Sequence, residues 1–267
     1  MLKPVKEVLS FIYNAVTKML QGRDISGDLF VSCPENNIGM KRKRYLVSVL
    51  ILNLTILAHS QSVISPNYGL KSHETLEITK IETTAEKTIV YLTVENRIEN
   101  GNFCADKNIY LIDPAGSRIK LQKAAGIPVC PQSYKFNSVG EKLSFTLSFP
   151  PLKGEPVYVN LTEECSDNCF SFYSVVLDEY VNSRLDEAFS LAERGESLKA
   201  MDRFISMAEA KDKNSSIRAL IYFNIVKLAT ETGNTVRAVE WYKKLSSPGL
   251  PSGRIYIEQL NAVGIRY

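Results

Sequence analysis

The chain has 267 residues, a net charge of +3, and 45% hydrophobic residues. Beyond residue 60, 24 basic side chains are set against 25 acidic ones, which leaves that part with a net charge of −1. A near-neutral chain lacks the positive surface that nucleic acids and anionic membranes require, so we expect neither as a partner.

Residues 40–60 have the pattern of a signal peptide. Four basic residues, 41–44, precede a mostly apolar run at 45–58, and the small residues Ala58 and Ser60 follow. A membrane span needs about 20 apolar residues, so the short run favours a cleaved leader. We predict cleavage after Ser60 and a periplasmic or secreted protein. The alternative is a leader left uncleaved, which is the only membrane contact that we expect.

Residues 1–39 precede the basic segment that normally begins an exported chain. We interpret them as a doubtful N-terminal extension, with Met40 as the true initiator. The alternative is a cytoplasmic tail on a membrane-anchored protein.

Residues 61–176 have the period of β-strands. In KTIVYLTVEN, for example, Val90, Leu92 and Val94 alternate with more polar residues. Such runs, rich in Val, Ile, Tyr, Phe and Thr, are typical of half-buried strands. The turn signal DPAG and the break PPLKGEP separate further runs. About eight short strands predict an antiparallel sandwich, with a barrel as the alternative.

Four cysteines lie in the exported part, and an even number in such a chain favours disulfides. Three pairings are open, and we favour Cys104–Cys130 with Cys165–Cys169. The spacing C-x-x-x-C could instead belong to a copper or redox site. A metal site of that kind would need histidine nearby, and the exported part has only His73.

Residues 177–267 have the period of helices. Apolar stripes predict helices over 177–194, 197–210, 216–232 and 235–246, followed by a last helix in SGRIYIEQLNAVG. Gly195 and Gly233 follow the first and third stripes, where glycine commonly ends a helix.

One spacing occurs twice in this half, 38 residues apart: a glycine, an alanine five residues later and an aromatic residue four further on. The residues are Gly195, Ala200 and Phe204, then Gly233, Ala238 and Tyr242. The pattern resembles tetratricopeptide repeats, in which glycine opens the turn and alanine permits close helix approach. The resemblance covers about residues 177–247 and implies two helical hairpins that stack.

The segments TIVYLTVEN, IYLIDPAGSRIKL and LSFTLSFPPL resemble bacterial immunoglobulin-like domains of exported proteins. The order of leader, sandwich and helical repeats resembles uncharacterised periplasmic or secreted proteins of the Bacteroides group. The expected fold class is therefore segregated α+β: an N-terminal immunoglobulin-like antiparallel β-sandwich, then C-terminal tetratricopeptide-like α-hairpins.

The common catalytic and nucleotide-binding motifs, G-x-S-x-G, H-E-x-x-H, the P-loop and the Rossmann fingerprint, do not occur in the sequence. We therefore predict no catalytic residue, cofactor or metal. The acidic segment TEECSDNC leaves weak calcium binding as an alternative, although it lacks the ligand spacing of an EF-hand loop.

We expect a non-catalytic exported protein that acts in protein–protein interaction or as a scaffold. A protein or peptide partner would bind a groove formed by the first helices of the hairpins, at Arg184, Glu187, Ile217, Leu220 and Asn224. One alternative is a carbohydrate- or cell-wall-binding module, which a row of exposed tyrosines on the sandwich would favour. The other is an enzyme of an unrecognised kind.

Overall fold

The computed structural model describes residues 61–210 and 216–267. The predictions for the N-terminal extension and for the signal peptide lie outside the described residues. Within the described part, no helix has the length and apolar character needed to cross a membrane.

Strands occupy the first half of the described chain and helices the second. The strands are β1 Gln61–Ile64, β2 Leu70–Lys71, β3 Leu76–Thr83, β4 Thr88–Glu95, β5 Asn102–Phe103, β6 Ile109–Ile112, β7 Arg118–Lys120, β8 Lys123–Ala125, β9 Tyr134–Lys135, β10 Lys142–Phe149, β11 Tyr158–Glu163 and β12 Ser171–Val176. The helices are α1 Glu179–Glu193, α2 Ser197–Glu209, α3 Arg218–Glu231, α4 Thr235–Leu245 and α5 Gly253–Ala262. The coarse α+β organisation, with strands before helices, is what the structure has.

The named strands form three antiparallel sheets. The first has the order β1-β3-β4-β10-β8, the second β2-β12-β11-β6-β7, and β5 pairs with β9 in the third. The two five-stranded sheets enclose one apolar core. In β4, Val90, Leu92 and Val94 point into that core, and the residues between them are half-buried. The predicted alternation is thus confirmed, because the period of two places one strand face inside.

The helices begin and end where local chemistry satisfies their free backbone groups. The Asp178 side chain accepts a hydrogen bond from the Val181 N–H at the start of α1, and Asn234 does the same for Arg237 in α4. Gly195 follows α1 with a φ of 76°, a left-handed conformation that suits glycine.

The helical layer shares its core with the second sheet. Tyr158 of β11 and Val176 of β12 belong to the same buried cluster as the helix residues. Asn182 of α1 is buried, and its Oδ1 accepts the N–H of Asn67 at 2.8 Å. Its Nδ2 donates to the Val176 carbonyl at 2.9 Å. Helix and sheet therefore belong to one compact unit.

The prediction of tetratricopeptide-like hairpins is wrong. Each helix packs mainly on the next helix along the chain, and α5 turns back onto α3 and α4. Within the described residues, α1 and α3 make no extensive contact, although a stack of hairpins would place these first helices side by side. The repeated glycine, alanine and aromatic positions mark helix turns and buried positions. They do not determine how helices stack.

The prediction of a plain immunoglobulin-like sandwich of about eight strands also needs correction. Twelve strands are present in the described part, and they form three sheets instead of two. The additional sheet arises because β5 and β9, which flank the Cys104–Cys130 disulfide in sequence, pair with each other.

Candidate functional site

The strongest candidate site is a cleft that we name the disulfide cleft, and it encloses about 500 Å³. Connections between six pairs of consecutive strands contribute to it: β2–β3, β4–β5, β5–β6, β8–β9, β9–β10 and β11–β12. The lining residues are His73, Thr75, Val94, Glu95, Asn96, Arg97, Ile98, Gly101, Asn102, Phe103, Cys104, Asp106, Cys130, Phe136, Glu163, Cys165, Ser166, Asp167 and Asn168.

Both disulfides hold turns of this cleft. Cys104 bonds to Cys130 with a Cα–Cα distance of 5.3 Å, and Cys165 bonds to Cys169 at 5.5 Å. The pairing that we favoured from the sequence is confirmed. Because each sulfur is bonded to another sulfur, the thiolates that copper would bind are not free in this state. Two disulfides are typical of an oxidising, extracytoplasmic compartment.

Glu163 connects the two disulfide-bonded segments. Its Oε1 accepts the Asp106 N–H at 2.7 Å, and its Oε2 accepts the Phe170 N–H at 3.0 Å. Burial raises the pKa of this carboxyl above its ordinary value, and the nearby Asp106 carboxylate raises it further. The two backbone bonds act in the opposite direction. Glu163 therefore positions the walls of the cleft.

The β4–β5 turn is held by a buried asparagine. Asn96 Nδ2 donates to the Ser138 carbonyl at 2.8 Å, and the Asn96 carbonyl accepts the Gly140 N–H at 2.7 Å. A Cβ at Gly101 would lie 2.0 Å from Asn96 Oδ1, so only glycine fits there. These contacts fix the conformation of the turn.

The cleft has an aromatic floor and an apolar rim. Phe103 packs on Phe145 and Phe170 with ring centroids 6.1 and 6.4 Å apart, and His73 meets it edge-on at 6.3 Å. At the rim, Ile98 is 66% exposed. Phe103 and Ile98 therefore give the cleft a partly apolar lining.

The charges in the cleft are mainly negative. Glu95, Asp106, Glu163 and Asp167 are the acids, and Arg97 is the only lysine or arginine among the lining residues. Burial lowers the pKa of the other basic group, His73, from its ordinary value of 6.5, so its imidazole is neutral at neutral pH. Within the described residues, no group of three or more His, Cys, Asp or Glu side chains is placed to hold a metal ion.

The Ser72 hydroxyl lies near His73 but is already used. Its Oγ is 3.0 Å from His73 Nδ1, donates to the Cys169 carbonyl and accepts the Ser171 N–H at 2.8 Å. A nucleophilic serine must present a free oxygen to its substrate. Ser72 instead attaches the β11–β12 turn to the β2–β3 turn.

The residues of the predicted helical groove are not brought together as one surface. Ile217 and Leu220 are buried in the helical core. The Asn224 side chain donates to the Leu220 carbonyl, and Glu187 forms an ion pair with Arg203 of α2. Arg184 lies over the ring of Tyr180 on its own helix.

The disulfide cleft was not predicted from the sequence. Its residues come from segments up to about 95 positions apart, and each turn taken alone resembles an ordinary solvated loop. The one available signal was that all four paired cysteines fall near the ends of predicted strands.

The raised pKa of Glu163 makes the free energy of unfolding of the protein depend on pH. Because the native carboxyl keeps its proton to a higher pH than the unfolded one, Glu163 favours the native state increasingly as pH falls from neutral toward 4.5. We expect wild type to gain stability relative to Glu163→Gln over that window. Urea unfolding of both proteins at pH 7 and pH 5 measures the difference. A difference that stays constant, or that shrinks at pH 5, contradicts the assignment.

No protein-family model matches the chain, and no curated protein or solved structure matches it either. The functional conclusion therefore depends on the fold and on the geometry of the cleft.

Proposed function

We propose that this chain is an exported, non-catalytic binding protein whose disulfide cleft binds a segment of a protein or peptide partner. The observation that carries the proposal is the preorganisation of the cleft. Two disulfides, Glu163 and Asn96 fix its turns through covalent and hydrogen bonds. A surface fixed before binding loses less conformational entropy when the partner arrives, which increases affinity.

The lining defines the chemistry of the partner. Phe103 and Ile98 favour an apolar side chain, because desolvating it against an aromatic floor contributes to binding. The excess of carboxylates over cations favours a basic side chain next to that apolar group. The partner segment should therefore combine a lysine or arginine with an apolar residue.

The two alternative functions have less support. Sugar binding usually needs flat exposed aromatic rings, but Lys80 lies 4.1 Å above the Tyr91 ring and Arg118 lies 4.2 Å above that of Tyr110. Trp241 is buried in the helical core. For an enzyme, a nucleophile next to a base is the usual requirement, and Ser72 beside His73 is engaged in structural hydrogen bonds.

Photo-crosslinking in the full oxidised chain tests the proposal. A photoreactive residue at Ile98, on the cleft rim, should capture a partner from the extracytoplasmic extract of the exporting cell. The same residue at Val236, which is 83% exposed on α4, is the control. Both positions are exposed, so neither replacement should disturb the core.

The captured partner then permits a quantitative test. Ile98→Asp should weaken its affinity by about tenfold or more, because the partner's apolar side chain would lose its apolar contact and meet a carboxylate that must give up its hydration. Val236→Asp should leave the affinity unchanged. Equal weakening by both variants, or capture only from Val236, contradicts binding in the disulfide cleft.

A further inference from the structure

The edge of the second sheet has a second candidate surface, which shares no lining residue with the disulfide cleft. Strand β7, Arg118–Lys120, is the last strand of that sheet and pairs with β6 alone. An edge strand presents backbone N–H and C=O groups that can pair with another chain.

The hydrogen bonds around β7 show which residues face outward. Leu121 N–H donates to the Ile109 carbonyl at 2.8 Å, and Asp113 N–H donates to the Ser117 carbonyl at 3.1 Å. In an antiparallel ladder, hydrogen-bonded pairs alternate with pairs that direct their backbone groups away. Residues 117, 119 and 121 therefore face β6.

Arg118 and Lys120 consequently direct both their N–H and C=O groups to the open side. In the part of the chain that the structure describes, no backbone or side-chain group pairs with these four atoms. A short strand with two outward residues offers two donors and two acceptors to an incoming chain.

Space for an incoming chain lies directly beside this strand. A cavity of about 460 Å³ is lined by the residues of β7 together with Pro150, Pro151 and Lys153. Proline has no N–H, so Pro150 and Pro151 offer no backbone donors that would compete for an incoming strand. Ile119 and Leu121 add apolar contact surface.

The open edge carries more positive than negative charge. Arg118 and Lys120 lie on the same face of the strand, at 4.2 and 6.0 Å from the Tyr110 ring. Glu164 pairs with Arg118, whereas the Lys120 ammonium donates to the neutral Asn108 amide. Lys153 adds a further cation to the cavity wall.

The Asp113 carboxylate, the one acid that lines this cavity, is already engaged. It accepts the Ser117 N–H at 2.8 Å, and hydrogen bonds to backbone N–H groups lower its pKa despite partial burial. It therefore does not neutralise Lys120 or Lys153 through an ion pair.

We infer that β7 accepts an extended, acidic segment of another protein as an added strand, with Arg118 and Lys120 supplying backbone bonds and charge. Main-chain bonds give such strand addition its affinity, and alternate side chains give it specificity. A second copy of this chain is a poor occupant, because its own Arg118 and Lys120 would face the same cations across the pair. Acidic side chains in those positions would be attracted.

A peptide of defined composition tests the inference on the full oxidised chain. The probe is a capped hexapeptide of alternating valine and glutamate, and a valine–lysine peptide of equal length is the matched control. We expect the glutamate peptide to bind at least about tenfold more tightly, because like charges across a strand pair repel. Equal binding of the two peptides overturns the acidic preference, and no binding up to about 1 mM overturns strand addition.

Amide hydrogen exchange locates the contact. Saturating glutamate peptide should slow exchange at Arg118 and Lys120, whose N–H groups face outward, and should leave Ile119 and Leu121 unchanged. The same peptide with every backbone nitrogen methylated cannot donate hydrogen bonds and should not bind. Unaltered exchange at Arg118 and Lys120, or tight binding of the methylated peptide, overturns the inference.

A pair of substitutions separates charge from backbone pairing. Lys120→Ala removes the ammonium and should weaken binding severalfold, whereas Lys120→Pro also removes the outward N–H and should abolish it. The proline leaves the bonds between β6 and β7 in place, because residue 120 does not donate to β6. Equal binding by both variants contradicts strand addition. If Lys120→Pro fails to fold, the exchange result in wild type decides.

Discussion

Replacing Tyr256 by alanine is expected to destabilise the chain by about 3–5 kcal/mol, as for other large buried aromatic side chains. Tyr256 lies on α5, is fully buried, and packs on Phe223 with ring centroids 5.1 Å apart. Its hydroxyl donates to Ser174 Oγ of β12 at 2.9 Å. Alanine would leave a cavity between the helical layer and the second sheet and an unpaired hydroxyl on Ser174. Urea unfolding with both disulfides intact measures the loss.

Two milder variants separate the contributions. Tyr256→Phe keeps the ring and removes one buried hydrogen bond, so it should cost about 1–3 kcal/mol. In Gly69→Ala, the new Cβ would lie 1.6 Å from Tyr256 Oη, which forces the ring out of position. The double variant should be more stable than the sum of the two single losses predicts, because Phe lacks Oη, the closest clashing atom, and keeps only the ring carbons that lie 2.6 and 2.9 Å from the new Cβ. Strictly additive losses would contradict direct contact between these positions.

The sequence predicts local features of this fold well. Alternation identified the buried face of β4, since a period of two depends on one strand alone. Gly195 and Gly233 were correctly placed after helices, because left-handed backbone at a helix end favours glycine. Export and an even cysteine count predicted disulfides but left three pairings open, and the favoured pairing is the one that forms.

Contacts between distant segments were not predicted. Gly69 and Tyr256 meet across the joint between sheet and helices, although they lie 187 positions apart in the chain. Asn182 resembles a polar surface residue in the sequence, yet it is buried and bonded to Asn67. The local sequence around these residues does not indicate which distant residue each one contacts.

The tetratricopeptide prediction failed for a related reason. The spacing of Gly195, Ala200 and Phe204, repeated 38 residues later, reports a turn followed by two buried helix positions. Any pair of helices that covers a sheet can require a turn and two buried positions at this spacing. How helices stack depends on the surface beneath them, and here Tyr158 and Val176 of the second sheet form part of that surface.

The second large expected effect is the loss of stability when a disulfide is removed. Cys104 and Cys130 close a loop of 26 residues, and the chain-entropy model assigns such a loop about 3–4 kcal/mol. Replacing both by serine should therefore lower the melting temperature strongly, by roughly 6–16 °C for a chain of this size. Cys165 and Cys169 are only four positions apart, so the same model assigns them about 2 kcal/mol. Differential scanning calorimetry of the two double variants compares them directly.

The structure gives an independent reason why replacing Cys104 and Cys130 should cost more stability than replacing Cys165 and Cys169. Without its disulfide, the β11–β12 turn is still held by Ser72, which bonds to Cys169 and Ser171, and by Glu163, which bonds to Phe170. The Cys104–Cys130 disulfide instead ties two connections that are otherwise linked to each other by the two-residue strands β5 and β9 and by the bridge between Ala105 and Val129. Mass spectrometry of the unreduced protein should find none of the four thiols free. A larger loss on replacing Cys165 and Cys169 would mean that the short turn, and not the long loop, holds the cleft in shape.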